Sequence, residues 1–344
     1  MNNICVNIIN SNLKKIESCK NYDISLIKYV NSGSYGIIFL TNIENYVAKI
    51  FFENKTKQTD FSEYSDLHEI EVIERIINKK EIFNFCCSDY AYGKLLIEDY
   101  SSDENNNEKI NIYVNESYSL SPFESEIVGE SSKNKKFYLF EGNYVILLPI
   151  FVDFRDYIEF IGKNLFINEN FLMKFIYMLI LMVGENEKIE IINIDLKISN
   201  MMVDMNNKLK LIDFGFSKSL EKYDNFFNID DKYFIWPQRS RNYKYGELIS
   251  YMISIIIFEL VFDRKINNLN KNQNLLNFFI SDFSNITYYS KKFKEFVTNP
   301  LKMPVNFEKF KKDYYDMSTI DYNDLTLPSY FHVIIESKGL AVFD

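Results

Sequence analysis

Asp195-Leu196-Lys197-Ile198-Ser199-Asn200 and, separated from it by twelve residues, Asp213-Phe214-Gly215 form the part of this 344-residue sequence that decides its fold. The first segment presents a carboxylate, an ammonium two residues later and an amide three beyond that. The second places a carboxylate at the end of the short strand-like run Leu209–Ile212, ahead of a glycine that frees the backbone. Ile191–Ile194 is a strand-like piece before the first motif, and Asp204-Met205-Asn206-Asn207 reads as a turn between them. Either motif alone could arise by chance in a chain rich in Asp, Asn and Lys. Both together, in this order, are hard to obtain by accident.

Upstream, Asn31-Ser32-Gly33-Ser34-Tyr35-Gly36-Ile37-Ile38 lies on the turn between two expected strands. Glycines let a backbone approach phosphate oxygens closely and offer N–H groups to them. Two glycines in a hairpin are more often only a turn. Lys49 changes the balance: it follows Gly36 by thirteen residues, inside the apolar strand Tyr46–Phe51. A Lys in such a strand needs an anionic partner, and triphosphate oxygens serve. Standing alone it would read as an exposed strand cation. Glu63–Asn78 has helical spacing, with Leu67, Ile70, Ile73, Ile76 and Ile77 on one face. Glu69 on this helix is placed to reach back to Lys49. A solvated helix charge is the plainer reading of Glu69, and Glu71 or Glu74 compete for the role. Phosphoryl transfer uses such a set. One carboxylate orients the attacking hydroxyl, a Lys neutralises the moving phosphoryl group, and an amide with a second carboxylate holds magnesium.

The glycine turn, Lys49, the Asp195 segment and the Asp213 motif follow one another as in protein kinases. The chain resembles a eukaryotic-type protein kinase from about Ile24 to at least Leu260. The resemblance implies an α+β fold of two lobes, a small β-rich one with one helix and a larger, mainly helical one. It implies ATP and Mg²⁺ as cofactors and protein Ser/Thr hydroxyls as acceptors. By resemblance Lys49 contacts the α/β-phosphates and pairs with Glu69, Asp195 is the catalytic base, and Lys197 assists the γ-phosphate. Asn200 and Asp213 hold magnesium. Asn31, Gly33, Ser34, Tyr35, Gly36, Ile38 and Val47 border the nucleotide, and adenine bonds the backbone near Leu148–Phe151. A Lys two residues after the base is similar to serine/threonine kinases, since tyrosine kinases usually carry Ala or Arg there. The phrase from Ser34 to Lys49 resembles kinases of large DNA viruses, notably poxviruses, which implies the host cytoplasm.

The departures are as informative. Asn31 stands where the first glycine of the loop is usual, which loosens phosphate cover. Asn193-Ile194 replaces the usual His-Arg before the base. Without that Arg, activity is expected not to depend on phosphorylation of the activation loop. Asn193 is expected to replace the His in part. Ile235-Trp236-Pro237-Gln238 occupies the place of Ala-Pro-Glu, and Ile249 stands where the next helix usually begins with Asp. These losses support an alternative, a pseudokinase acting as an ATP-binding scaffold or regulatory module. A small-molecule phosphotransferase is a third reading, disfavoured by the activation segment from Asp213 to Gln238.

Composition narrows the rest. An apolar fraction of 47% supplies a sizeable core. A net charge of −9 argues against a protein built to hold nucleic-acid backbones. Cys5, Cys19, Cys86 and Cys87 have no metal-ligand spacing, and only His68 and His332 could join them, so zinc is not expected. Reduced thiols fit a cytoplasmic protein. Phe171–Val183 and Ile249–Phe262 fall short of the ~20 residues of a membrane span and read as core helices of a soluble protein. Residues 1–23 are expected to be an extension, 24–150 the small lobe with a polar insertion at about 99–136, and 151–344 the large lobe. A hairpin is expected from Phe137–Phe140 through Glu141-Gly142-Asn143 to Tyr144–Ile150, and a helix over Phe154–Ile161.

Overall fold

A computed structural model of the chain describes residues 4–11, 26–32, 36–51, 69–79, 84–85, 90–97, 109–114, 135–140, 144–162, 167–193, 195–215, 217–220, 226–228, 242–263, 273–319 and 325–338. Within them the fold is α+β, with eight helices and antiparallel sheets.

The small lobe is built on six strands: β1 (Ile4–Ser11), β2 (Leu26–Ser32), β3 (Gly36–Thr41), β4 (Tyr46–Phe51), β5 (Ala91–Ile97) and β8 (Tyr144–Pro149). Their order across the sheet is β1-β5-β8-β4-β3-β2. The expected extension thus supplies an edge strand, β1, paired antiparallel with β5. The turn from β3 to β4 is set locally. Asn45 takes the left-handed conformation at φ 65°, which Asn tolerates. The Thr41 hydroxyl donates to the Tyr46 carbonyl at 2.9 Å.

The expected hairpin over residues 137–150 does not form. Two further strands, β6 (Lys109–Val114) and β7 (Lys135–Phe140), pair with each other, while β8 lies between β4 and β5. The reason is burial. Val145, Ile146, Leu147 and Leu148 are all buried, so β8 has apolar side chains on both faces and belongs at the centre of a sheet. The polar insertion carries its own partner strand for β7.

Helix α1 (Glu69–Lys79) buries Ile70, Val72, Ile73, Ile76 and Ile77. In the large lobe, α2 (Phe154–Ile161) is capped by Asp153, whose carboxylate accepts the Arg155 N–H at 2.8 Å. Helix α3 (Glu169–Lys188) extends the expected Phe171–Val183 run at both ends, with Asn168 as its cap. Helix α4 runs from Tyr245 to Phe262, so Ile249 lies inside it, 1% exposed, and not at its start. It is long and apolar enough to cross a membrane by composition alone. Here it packs against α3, against α6 (Lys291–Lys302) and against α7 (Phe307–Tyr315), as a core helix does. Helices α5 (Gln273–Asn285) and α8 (Phe331–Ser337) complete the set.

Short strands carry the centre of the large lobe. β10 (Ile191–Asn193) pairs with β13 (Ser217–Ser219). β11 (Met201–Val203) lies between β12 (Leu209–Leu211) and β9 (Val152–Asp153). β14 (Phe226–Asn228) pairs with β15 (Asn242–Lys244).

Candidate active site

Side-chain alternation places four of the expected residues together. The register sets Ile38 opposite Lys49, and Val47 opposite Leu148. Opposed residues share a face, and residues two apart in a strand share it too. Ile38, Val47, Lys49 and Leu148 therefore line one face of the sheet. Gly36 is needed beside them, because a Cβ there would come within 2.5 Å of the Ile50 carbonyl oxygen. Asn31 sits in β2 with its backbone opposite Ile38, while Gly33, Ser34 and Tyr35 lie outside the described residues.

Lys49 Nζ donates to both carboxylate oxygens of Glu69, at 2.9 and 2.8 Å. The competition along α1 is resolved by geometry. Glu74 accepts the Tyr92 hydroxyl, and Glu71 is exposed. Burial pushes the Lys49 ammonium down, but Glu69 and Asp213 outweigh it and leave it raised. Lys49 is thus held cationic. Burial also pushes Glu69 up, with the Asp213 charge adding to it and Lys49 and the Phe214 N–H opposing.

The second cluster is set by the β11–β12 pair. Residues Ile198–Asn200 form one turn of 3₁₀ helix leading into β11, and the Ile212 N–H donates to the Asn200 carbonyl at 2.9 Å. Asn200 and Asp213 are thereby brought to one end of the same strand pair. Asp213 adopts φ 66°, a conformation that a non-glycine residue holds only where its surroundings impose it. The Gly215 N–H donates to Asp213 Oδ1 at 3.2 Å. Phe214 is fully buried beneath.

Asp195 is 7% exposed and heavily bonded. Lys197 Nζ donates to its Oδ2 at 2.6 Å, and Asn200 Nδ2 donates to Oδ2 at 3.1 Å and to the Asp195 carbonyl at 3.0 Å. Burial raises the Asp195 pKa; Lys197 and Asn200 oppose this and Asp213 adds to it, leaving the net direction up. Asn200 donates through Nδ2, which leaves its amide oxygen as a hard donor to stand with the Asp213 carboxylate. Two such oxygen ligands, completed by phosphates and water, suit magnesium.

The protein kinase domain family matches residues 133–315, more than half of the chain. This chain is a member of the protein kinase superfamily. No curated protein matches it significantly. The family match begins after Lys49 and Glu69, so their place in the kinase rests on the geometry above.

Three features of the kinase go beyond the sequence-based expectations. Glu185 of α3 is 7% exposed and accepts the Asn84 and Phe85 N–H groups at 2.7 and 2.8 Å. Lys210 of β12 is 9% exposed and donates to the Asn84 carbonyl at 2.8 Å. The Leu211 N–H donates to the Phe85 carbonyl at 2.7 Å. Residues 84–85, between α1 and β5, are thus clamped to the strand that leads to Asp213. Glu185 had a signal: it continues the buried Met178, Met182 and Ile189 row at helical spacing. Lys210 had none, since its place in a short strand reads as solvent-facing. Ile194, the Ile235–Gln238 segment, Cys19, Cys86, Cys87 and His68 lie outside the described residues.

Proposed function

We propose that this kinase transfers the γ-phosphoryl group of ATP, with Mg²⁺, to Ser or Thr hydroxyls of protein substrates. The observation that carries the reading is the Lys49–Glu69 pair standing beside Asp213, while Asp195, Lys197 and Asn200 form one hydrogen-bonded group. Lys49 would hold the α/β-phosphates, and Asn200 with Asp213 would hold the metal, which neutralises phosphate charge when bound. Ile38, Val47 and Leu148 would cover adenine.

Asp195 orients the acceptor hydroxyl and takes its proton as the new oxygen–phosphorus bond forms. The bond between the γ-phosphorus and the β–γ bridging oxygen breaks, and ADP leaves with that electron pair. Lys197, held at Asp195 Oδ2, would share its charge with the moving phosphoryl group. A Lys at this position supports serine/threonine over tyrosine acceptors. Ile194 in place of Arg supports activity without activation-loop phosphorylation.

The test is ATP/Mg²⁺-dependent labelling of the protein itself and of basic and acidic protein substrates, with wild type against Asp195→Ala. Label on Ser or Thr that is lost in the variant is the expected result. Folded protein that binds ATP and labels nothing would assign it as a pseudokinase.

A further inference from the structure

Residues 325–338 lie beyond the family match and return to the β9–β11–β12 sheet of the large lobe. Their main attachment is Asn207, in the turn between β11 and β12. Asn207 is buried, with φ 57°. Its Oδ1 accepts the N–H groups of Tyr330 and Phe331 at 3.1 and 3.2 Å, capping α8 from outside the helix. Its carbonyl accepts the Leu327 N–H at 2.8 Å, and its Nδ2 donates to Ser329 Oγ at 3.3 Å. A second attachment comes from α2. The Tyr157 hydroxyl donates to the Pro328 carbonyl, and Asp156 pairs with Lys338. Phe331, Ile334 and Ile335 are buried, and α8 packs against β9 and α2.

The location gives this segment a consequence. β9 begins directly after the Leu148–Phe151 stretch, β11 directly after Asn200, and β12 ends two residues before Asp213. The three strands form one sheet, so the spacing of these groups depends on its rigidity. A short sheet of two- and three-residue strands has few ladder bonds of its own. The Asn207 latch ties its turn to α8, and α8 rests on its outer strand.

We propose that Leu325–Lys338 is a positioning element, held by Asn207 and Tyr157, that fixes the adenine-bonding stretch relative to Asn200 and Asp213. The proposal rests on reading those groups as the Mg·ATP site. Loosening the latch lowers affinity for Mg·ATP and leaves the bound complex to react at nearly its normal rate.

Asn207→Gly tests it, because glycine keeps the left-handed backbone and deletes the side chain with its carboxamide. Asn207→Asp retains the acceptor for Tyr330 and Phe331. With temperature held well below each variant's melting point, Asn207→Gly is expected to raise KM for ATP about three- to tenfold, with kcat within about twofold. Asn207→Asp is expected to stay within about twofold of wild type in both. Tyr157→Phe, which cuts the second attachment, is expected to move KM in the same direction. A lower melting temperature with unchanged KM and unchanged Kd for Mg·ATP in Asn207→Gly would overturn the proposal and leave the segment a purely structural strap. If that variant does not fold, Tyr157→Phe decides by the same criterion. Failure of the unaltered chain to bind Mg·ATP would instead overturn the site reading, and this proposal with it.

Discussion

The side-chain oxygen of Asn193 accepts the backbone N–H of Asp195 at 2.8 Å, and both residues are buried. This local bond fixes the backbone from which the proposed base projects, as Asx turns do. The Asn193 Nδ2 is buried with no partner among the described residues.

Asn193→Ala removes the acceptor and leaves the Asp195 N–H unpaired, at a cost of about 1–3 kcal/mol. The expected result is lower stability to denaturant and a kcat reduced about tenfold, with KM for ATP little changed. Asn193→Ser keeps an oxygen within reach and is expected to recover most of the rate. Equal rates in wild type and Asn193→Ala would show that Asp195 is held by Lys197 and Asn200 alone.

The residues of the candidate site were legible because most of them lie close together in the sequence. Asp195, Lys197 and Asn200 lie within six residues, and the β11–β12 hairpin brings Asp213 to them by short-range pairing. Lys49 was legible as a charge in an apolar strand, whereas periodicity placed Glu69 only on the expected helix with Glu71 and Glu74 as competitors, and the two hydrogen bonds from Lys49 decide between them. Strand pairing between distant segments was not. Nothing local in Phe137–Phe140 distinguishes pairing with β8 from pairing with β6, and the buried centre of the sheet decides it. The clamp at residues 84–85 was hidden for a related reason: its backbone groups are bonded by Glu185 and Lys210, 100 or more residues away.

The Lys49–Glu69 pair supplies the second prediction. Lys49→Met leaves the buried Glu69 carboxylate without its cation, and the phosphates without theirs. Loss of one fixed charge of this kind costs on the order of 10²–10³ in kcat. Glu69→Gln keeps the shape and one hydrogen bond but frees Lys49 from its anchor, so a smaller loss, about tenfold or more, is expected. Steady-state kinetics with ATP as the varied substrate distinguish the two. A Glu69→Gln enzyme indistinguishable from wild type would show that Asp213 alone suffices to hold Lys49.

The pH dependence follows from Asp195. Burial holds its pKa above the ordinary value, and the base works only when ionised, so the rate falls as pH falls through that raised pKa. The acid limb of kcat/KM is expected to lie above the ordinary aspartate value of about 3.9. Lys197 is a main force opposing the rise. Lys197→Met should therefore move the acid limb to higher pH while lowering its plateau. An acid limb that stays in place in this variant would assign the titration to another group.

Glu185 gives the last prediction, and it concerns α1 at a distance from the chemistry. Its carboxylate accepts two adjacent backbone N–H groups, Asn84 and Phe85, whose carbonyls receive Lys210 and the Leu211 N–H. Arg75 of α1 also donates to the Glu190 carbonyl at 3.0 Å, just past the end of α3. Helix α1 is thus tied to the large lobe at its C-terminal end while Glu69 at its first turn engages Lys49. Glu185→Leu fits the apolar surroundings but orphans both N–H groups, at about 1–3 kcal/mol each. Glu185→Gln keeps one acceptor oxygen and should lose less. Denaturant unfolding is expected to rank wild type above Gln and Gln above Leu. If the clamp also holds α1 in register, hydrogen exchange across residues 69–79 should quicken in Glu185→Leu under conditions where the protein remains folded. Unchanged exchange in α1, with stability lost elsewhere, would confine Glu185 to the packing of α3.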